Sequence, residues 1–450
     1  MAANHAPAGV SNVSPFELAA VFLTLVAVGG WLNARTLKLP HGVAMLFVGM
    51  AGAAAILVLQ NVSPTVGRPI QTTLASVDFA QTVLGYMLAF LLFAGAMQVD
   101  LAELRRRRLS VWTLATVGVV ASTAIVGVGL WLAARWLGLS LTLPWALVFG
   151  ALISPTDPIA VLAAVKGGHL SNSLRAILQG EALYNDGVGI VVFTGLLAFA
   201  AGAAPSLLRG LEAVFVQAAG GLALGAAGGA LVLTAMRAID DFVVEVSLSL
   251  ALATGIYALA HALHLSGPIA VVGAGLLVGD AHTRGTMSQT TQVYLRSFWT
   301  LVDEILNALL FFLLGLQLFV VKLEFRQAGL CLAAAGLVAM TRFAVVLPWG
   351  SYLHLRHEER GARVILAWGG LHGALSLALA LSIPRDPHRP LILAATYVVA
   401  TLSVAIQGLT FGPLTSALHS RGGPPKGTTE SEVQPMRPRQ RLVPQRHQNG

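Results

Sequence analysis

The stretch "GEALYNDG" at residues 180–187 sets two carboxylates, Glu181 and Asp186, and the amide of Asn185 into a run that is otherwise apolar. On a helix Glu181 and Asn185 share a face. Asp186 lies five residues beyond Glu181, roughly 140° round the axis at 3.6 residues per turn, so the two acids face different neighbours. An ionised side chain at mid-bilayer costs about 2.5–3.5 kcal/mol on insertion scales, and its presence calls for a function or a partner. The candidates within apolar stretches are Asp157, Glu181, Asp186, Asp303, Glu304 and Arg342. Glu181 needs a cation to stay charged in a dry bundle, and Arg342, in "AMTRFAVVLPW", is the one basic side chain inside a span. That pair reads as structural, with removal of either partner strongly destabilising. Asp186 is then left to take a proton or a small hard cation, which prefers oxygen ligands. Thr156, Asp157 and freed backbone carbonyls can complete the set. One carboxylate cannot hold both ligands, so proton and cation compete for it, and competition at an alternately exposed site is exchange.

Two segments must position these groups, and both are interrupted. In "ALISPTDPIAVLAAV", Pro155 and Pro158 bracket Thr156 and Asp157, and each proline removes a backbone donor and clashes with the preceding turn, so the helix breaks into two halves. In "AWGGLHGALSLALALSIP", Gly369, Gly370 and Gly373 weaken the helix around His372. A broken segment in each half of the chain is the pattern of a transporter built from inverted repeats, with the ion site where the half-helices meet. Irregular backbone at that depth is tolerated only inside protein or along a cavity. Asp157 has a second reading, as the cap of a half-helix. Asp303 and Glu304, within three turns of Arg296, read as solvated or paired residues near the membrane surface. His372 is either a neutral histidine bonded to a carbonyl or, with an unperturbed pKa near 6.5, a pH sensor.

The surrounding composition is that of a membrane protein. Of 450 residues, 56% are hydrophobic and 11% charged, against about 25% charged in a soluble domain. Apolar windows long enough to span a bilayer as helix recur about thirteen times, near 15–32, 41–60, 79–98, 111–133, 143–165, 174–199, 211–236, 242–264, 268–280, 295–321, 328–350, 362–383 and 391–412. The chain therefore divides into a short N-terminal segment (1–14), a membrane domain (15–412) and a basic, Pro- and Gln-rich tail (413–450) expected to be disordered. The single cysteine, Cys331, excludes a disulfide framework or a cysteine metal cluster. If the helices alternate in direction, 14 of the 28 Lys and Arg fall on one side and 7 on the other. The positive-inside rule then puts the first set, Arg105–Arg108 and Arg175 included, in the cytoplasm, with the N-terminus outside and the C-terminus inside. The net charge of +8 reads as topology rather than as a nucleic-acid footprint. No Ser/His, Cys/His or His-rich set converges on one depth, so neither an enzyme nor a bound cofactor is expected.

At these residues the chain resembles the monovalent cation:proton antiporter-1 family, the sodium/proton exchangers, over about residues 15 to 412. "LLFAGAMQVDLAELRRRR", "ISPTDPIAVLAAV", "GEALYNDGVGIVVF", "VDEILNALLFFLLGLQL", "TRFAVV" and "GGLHGALSLALALSIP" occur in the family's order. The resemblance implies an all-α polytopic fold of about thirteen transmembrane helices with two broken crossing helices. It further implies a homodimer held by the early helices, a mobile six-helix core and a place in the bacterial inner membrane. It assigns Asp186 as the ion- and proton-binding aspartate, with Thr156, Asp157 and Asn185 around it, and Glu181 with Arg342 as the core ion pair. The Asn185–Asp186 pair marks one-for-one, electroneutral members. The transported ion would be Na+, held by Asp186 and Thr156. Three positions depart from the pattern: Ala182 where many relatives have Ser, His372 where Arg is usual, and Ala94 where some have Glu. Ala182 keeps K+ and Li+ open as substrates and a K+/H+ exchanger as the alternative. A cation channel or a transport-inactive sensor on the same fold is the more distant one.

Overall fold

A computed structural model describes residues 15–75, 78–157, 170–203, 207–283, 288–319, 321, 325–352 and 361–420. The chain is helical throughout these residues. In order the helices are α1 Pro15–Arg35, α2 His41–Val62, α3 Pro64–Ala75, α4 Leu88–Met97, α5 Leu101–Arg106, α6 Arg108–Thr113, α7 Val119–Trp136, α8 Leu143–Ile153 and α9 Asn172–Ala200. They continue with α10 Leu207–Arg237, α11 Phe242–Ala262, α12 Gly267–Thr283, α13 Gln289–Leu316, α14 Phe325–Tyr352, α15 Ala362–Trp368, α16 Ala374–Ser382, α17 Arg389–Leu402 and α18 Gly408–Ser420. Wider π-helical turns at Gln81–Met87, Leu114–Gly118 and Ser403–Gln407 lead into α4, α7 and α18 without a break in direction.

Among the described residues nine helices are long and apolar enough to cross a membrane, and Gln81–Met97, Leu143–Ile153 and Gly267–Asp280 are shorter apolar helices. The chain is a polytopic α-helical membrane protein. Its outer surface carries large apolar side chains such as Phe215, Leu231 and Phe325, as expected where lipid rather than water is the solvent.

Each of the thirteen apolar segments is helical where it is described, with three differences from expectation. The segment expected over 143–165 is helical only to Ile153, and residues 158–169, Pro158 and Lys166 among them, lie outside the described residues. The last helix does not stop at residue 412. It runs through Pro413 to Ser420, and in the turn after the proline Thr415 Oγ1 donates to the carbonyls of Phe411 and Gly412. Third, Pro64–Ala75, outside every expected span, forms an amphipathic helix that folds back on the end of α2, where Gln60 bonds Gln71. Of the tail, residues 421–450 lie outside the described residues.

Close helix approach depends on small residues, since lipid supplies no hydrophobic force between helices. The clearest case is α2 against α13. A Cβ on Gly49 would sit 2.1 Å from the Phe312 carbonyl oxygen, and one on Gly315 would sit 2.3 Å from that of Leu46. Overpacking a filled core costs about 1–3 kcal/mol or more. Gly49→Leu is therefore expected to lower the apparent melting temperature of the detergent-solubilised protein, followed by light scattering. Gly336→Ala, where an added Cβ meets nothing within 4 Å, is expected to leave it unchanged or slightly raised, because alanine is the better helix former.

Candidate ion-binding site

The site begins where α8 ends. Pro155 cannot continue the ladder, and residues 154–157 run on as non-helical chain. The other break is Gly369–Gly373, between α15 and α16. The two interruptions cross: Asp157 N donates to Leu371 O at 2.7 Å, forming a single antiparallel bridge between them. The approach is close enough to require glycine. A Cβ on Gly373 would lie 3.0 Å from Asp157 Oδ2, and one on Gly370 would lie 2.5 Å from Arg342 Nε.

Backbone groups released by the breaks find partners among side chains, as a buried polar group must. Arg342 Nη2 donates to Leu366 O at 3.2 Å, and Gln407 Nε2 to Trp368 O at 3.3 Å. His372 N donates to Ser403 Oγ at 3.0 Å, and Ser403 in turn donates to Gln407. The His372 ring places Nδ1 3.3 Å from Pro155 O. A carbonyl can only accept, so Nδ1 carries the hydrogen. The π-helical turn Ser403–Gln407 thus supplies two of the side chains that seal the second break.

From α9 three polar side chains leave in different directions. Glu181 is buried and bound by Arg342 of α14 in a two-pronged pair, with Nη2–Oε2 at 2.8 Å and Nη1 on Oε1. Asn185, also buried, donates from Nδ2 to Thr156 Oγ1 at 2.8 Å while its Oδ1 accepts from Thr156 N at 3.4 Å. Asn185 is spent on holding the unwound strand and does not border the cavity described next. Asp186 does.

That cavity has a volume of about 700 Å³ and is bordered by Pro155, Thr156, Asp157 and Asp186 at the crossing. Two helix faces form its walls. Arg175, Gln179, Ala182, Leu183 and Asp186 fall at i, i+4, i+7, i+8 and i+11 of α9; Thr300, Asp303, Glu304, Asn307, Ala308 and Phe311 show the same kind of stripe on α13. The α9 stripe is about 16 Å long at 1.5 Å per residue. Exposed Arg175 and Glu304 lie toward its mouth. Asp303 and Glu304, expected to be solvated or paired near the membrane surface, are respectively bonded to Gln98 and Asn307 and exposed, and both border the cavity that holds Asp186. Ala182 borders it too, with a methyl where a hydroxyl would be an oxygen ligand. Ala94 is fully buried in packing, and His372 does not border the cavity.

The crossing therefore gathers Asp186, Asp157 and Thr156, and keeps Glu181–Arg342 and His372 on the far side of the unwound chain. Gln98, Gln179, Asn307 and Ser376 join the lining although the sequence reading did not single them out. The stripe periodicity of α9 and α13 was available as a signal, but which stripe faces a cavity is a property of packing. Glu245, buried in the first turn of α11 beneath the N-capping Asp241, is a further intramembrane acid that the sequence reading passed over.

Against known proteins, the description "Sodium/hydrogen exchanger, transmembrane" matches residues 22–417. The chain belongs to the sodium/hydrogen exchanger family. Among characterised exchangers it is 39% identical over 416 residues to the Na(+)/H(+) antiporter NhaP of Pseudomonas aeruginosa, covering 90% of this chain and 97% of that one. It is 33% identical over 407 residues to the Na(+)/H(+) antiporter NhaH of Halobacillus aidingensis, covering 89% and 96%. The solved sodium proton antiporter MjNhaP1 from Methanocaldococcus jannaschii at pH 8 superposes with a TM-score of 0.67 at 20% identity, over 90% of this chain and 98% of that one. That likeness is one of fold.

For this exchanger, breaking the buried pair leaves one uncompensated charge, which costs about 3–5 kcal/mol. Arg342→Ala and Glu181→Ala are each expected to yield aggregated or strongly destabilised protein in fluorescence-detected size exclusion. The double variant Glu181→Leu/Arg342→Met is expected to recover much of the monodisperse peak.

Proposed function

We propose that this protein exchanges a monovalent cation, Na+ in the first instance, for H+ across the bacterial inner membrane, one for one, with both ligands competing for Asp186. The observation that carries the reading is the convergence of Asp186, Asp157 and Thr156 on one aqueous cavity, while the third nearby carboxylate, Glu181, is consumed by Arg342. Family membership and relatives named Na(+)/H(+) antiporters support the choice of substrates.

The mechanism follows from the groups present. Asp186 is the carboxylate that binds and releases the proton. Thr156 Oγ1, which accepts from Asn185, keeps lone-pair capacity for a cation, and Asp157 adds a second carboxylate. The C-terminal end of α8 presents its negative pole at the crossing, where a cation is favoured, and the N-terminal end of α16 presents its positive pole toward Asp157. Arrival of Na+ requires Asp186 to be deprotonated, and protonation expels Na+; the two loaded forms carry the same net charge at the site, so a cycle that exchanges one for the other moves no net charge. With Arg175 on the cytoplasmic side, as the distribution of basic residues indicates, the cavity faces the cytoplasm. The unwound crossing separates it from the other side, and alternating access consists of moving the crossing and α9 relative to the surrounding helices. Assembly as a homodimer through the early helices belongs to the same proposal.

K+ is the second reading, because Ala182 removes one candidate oxygen beside Asp186. Proteoliposomes holding a pH-sensitive dye and an imposed proton gradient decide between the ions when Na+, Li+ or K+ is added. Asp186→Asn is expected to abolish the response to all three; dequenching at the wild-type rate would remove Asp186 from the mechanism. Direct competition also sets the sign of the pH dependence. The apparent KM for Na+ is expected to rise about tenfold per unit fall in pH below the proton-binding midpoint and to level off above it, by mass action at one site. A pH-independent KM would mean separate sites.

A further inference from the structure

The exchange reading leaves unused a carboxylate of the cavity wall that two side-chain amides hold. Asp303, on α13, accepts from Asn307 Nδ2 at 2.8 Å through Oδ1 and from Gln98 Nε2 at 3.2 Å through Oδ2. Asn307 Nδ2 also donates to the Asp303 backbone carbonyl at 2.8 Å. Both partners of Nδ2 can only accept, so the orientation of the amide is settled chemically. Its oxygen is left over: Asn307 is 4% exposed, borders the cavity, and its Oδ1 has no hydrogen-bond partner among the described residues. A buried carbonyl oxygen without a donor is unfavourable, and a cation is the other kind of group that satisfies it. The amides that hold Asp303 keep its carboxylate oriented and leave it lone pairs to share. Glu304 stands one residue away on the same wall.

We infer that Asp303 and the Oδ1 of Asn307, with Glu304 at the rim, form a second, weaker alkali-cation site in the cavity, a waystation that ions occupy between the cytoplasm and Asp186. This inference rests on the exchange reading, whose site it feeds. The charges facing it agree. Asp157, Asp186, Asp303 and Glu304 border the cavity against the single guanidinium of Arg175 on the opposing α9, with His41 as the other titratable neighbour, and a cleft lined by one sign of charge concentrates ions of the other. The ligands are carboxylate and amide oxygens, which suit an alkali ion. Among the described residues no group of three His, Cys, Asp or Glu gathers to hold a transition metal.

The test is 22Na+ binding to purified full-length protein at alkaline pH. Asp186→Asn is expected to retain one weak binding site, and adding Asp303→Asn or Asn307→Ala to it is expected to remove that site, while Asp303→Glu preserves it. In proteoliposomes, Asp303→Asn alone is expected to raise the KM for Na+ by about three- to tenfold, with a smaller change in kcat. Absence of residual binding in Asp186→Asn, or residual binding untouched by both second substitutions, overturns the waystation. If Asp303→Asn fails to give a monodisperse protein, the Asn307→Ala pair decides. Full exchange by Asp186→Asn would instead overturn the exchange reading, so the two failures are told apart.

Discussion

The ion pair of Glu181 with Arg342 decides the chemistry of everything around it. Two carboxylates stand five residues apart on one helix inside a bundle where an unpaired charge is expensive. Arg342 reaches one of them from α14 with both ends of its guanidinium and spends a further donor on the Leu366 carbonyl at the second break. The other carboxylate, Asp186, borders the cavity instead. The different surroundings of two chemically equivalent groups thus come from geometry: a bidentate fork holds one carboxylate in the dry bundle, while its neighbour lines open space.

The same pair ties the ion site to the fold. A side chain at Gly370 would displace the Arg342 side chain that reaches Glu181, and one at Gly373 would crowd the Asp157 carboxylate. The crossing is consequently a place where backbone, glycine and charge specify one another. Asn185 belongs to this framework. Its amide is committed to Thr156, which makes it the residue that holds the unwound strand at the right height beside Asp186. Ser403, Gln407 and His372 do the equivalent on the other break. Nearly every polar side chain near the crossing is occupied in keeping irregular backbone satisfied inside hydrocarbon, which is the condition for having irregular backbone there at all. Asp186 and Asp157 stand out because they border the cavity.

Much of this was legible in the residues alone. Thirteen apolar windows, two interrupted by proline or glycine, specified a polytopic helical protein with two broken segments, because bilayer thickness and backbone hydrogen bonding leave few other outcomes for such a sequence. The separation of Glu181 from Asp186 followed from helical periodicity, and the partnership of Glu181 with Arg342 from elimination, since no other Lys or Arg lies in the interior of a span. The reach of the final helix past Pro413 was not legible, because a proline in a helix is normally an ending and here the helix continues to Ser420.

What the sequence determined by itself is an inventory: most of the charges that lie within apolar segments, Glu245 excepted, and the segments that cannot remain helical. Tertiary structure decided which wall each charge joins. Asp303 and Glu304 read as solvated or paired residues from their nearness to Arg296, and the fold places both on the wall of the cavity that holds Asp186. Periodicity defines a stripe on a helix but not the direction it faces. That direction is set by contacts between helices remote in sequence, such as the glycine contact of α2 with α13, and a local pattern carries no information about them.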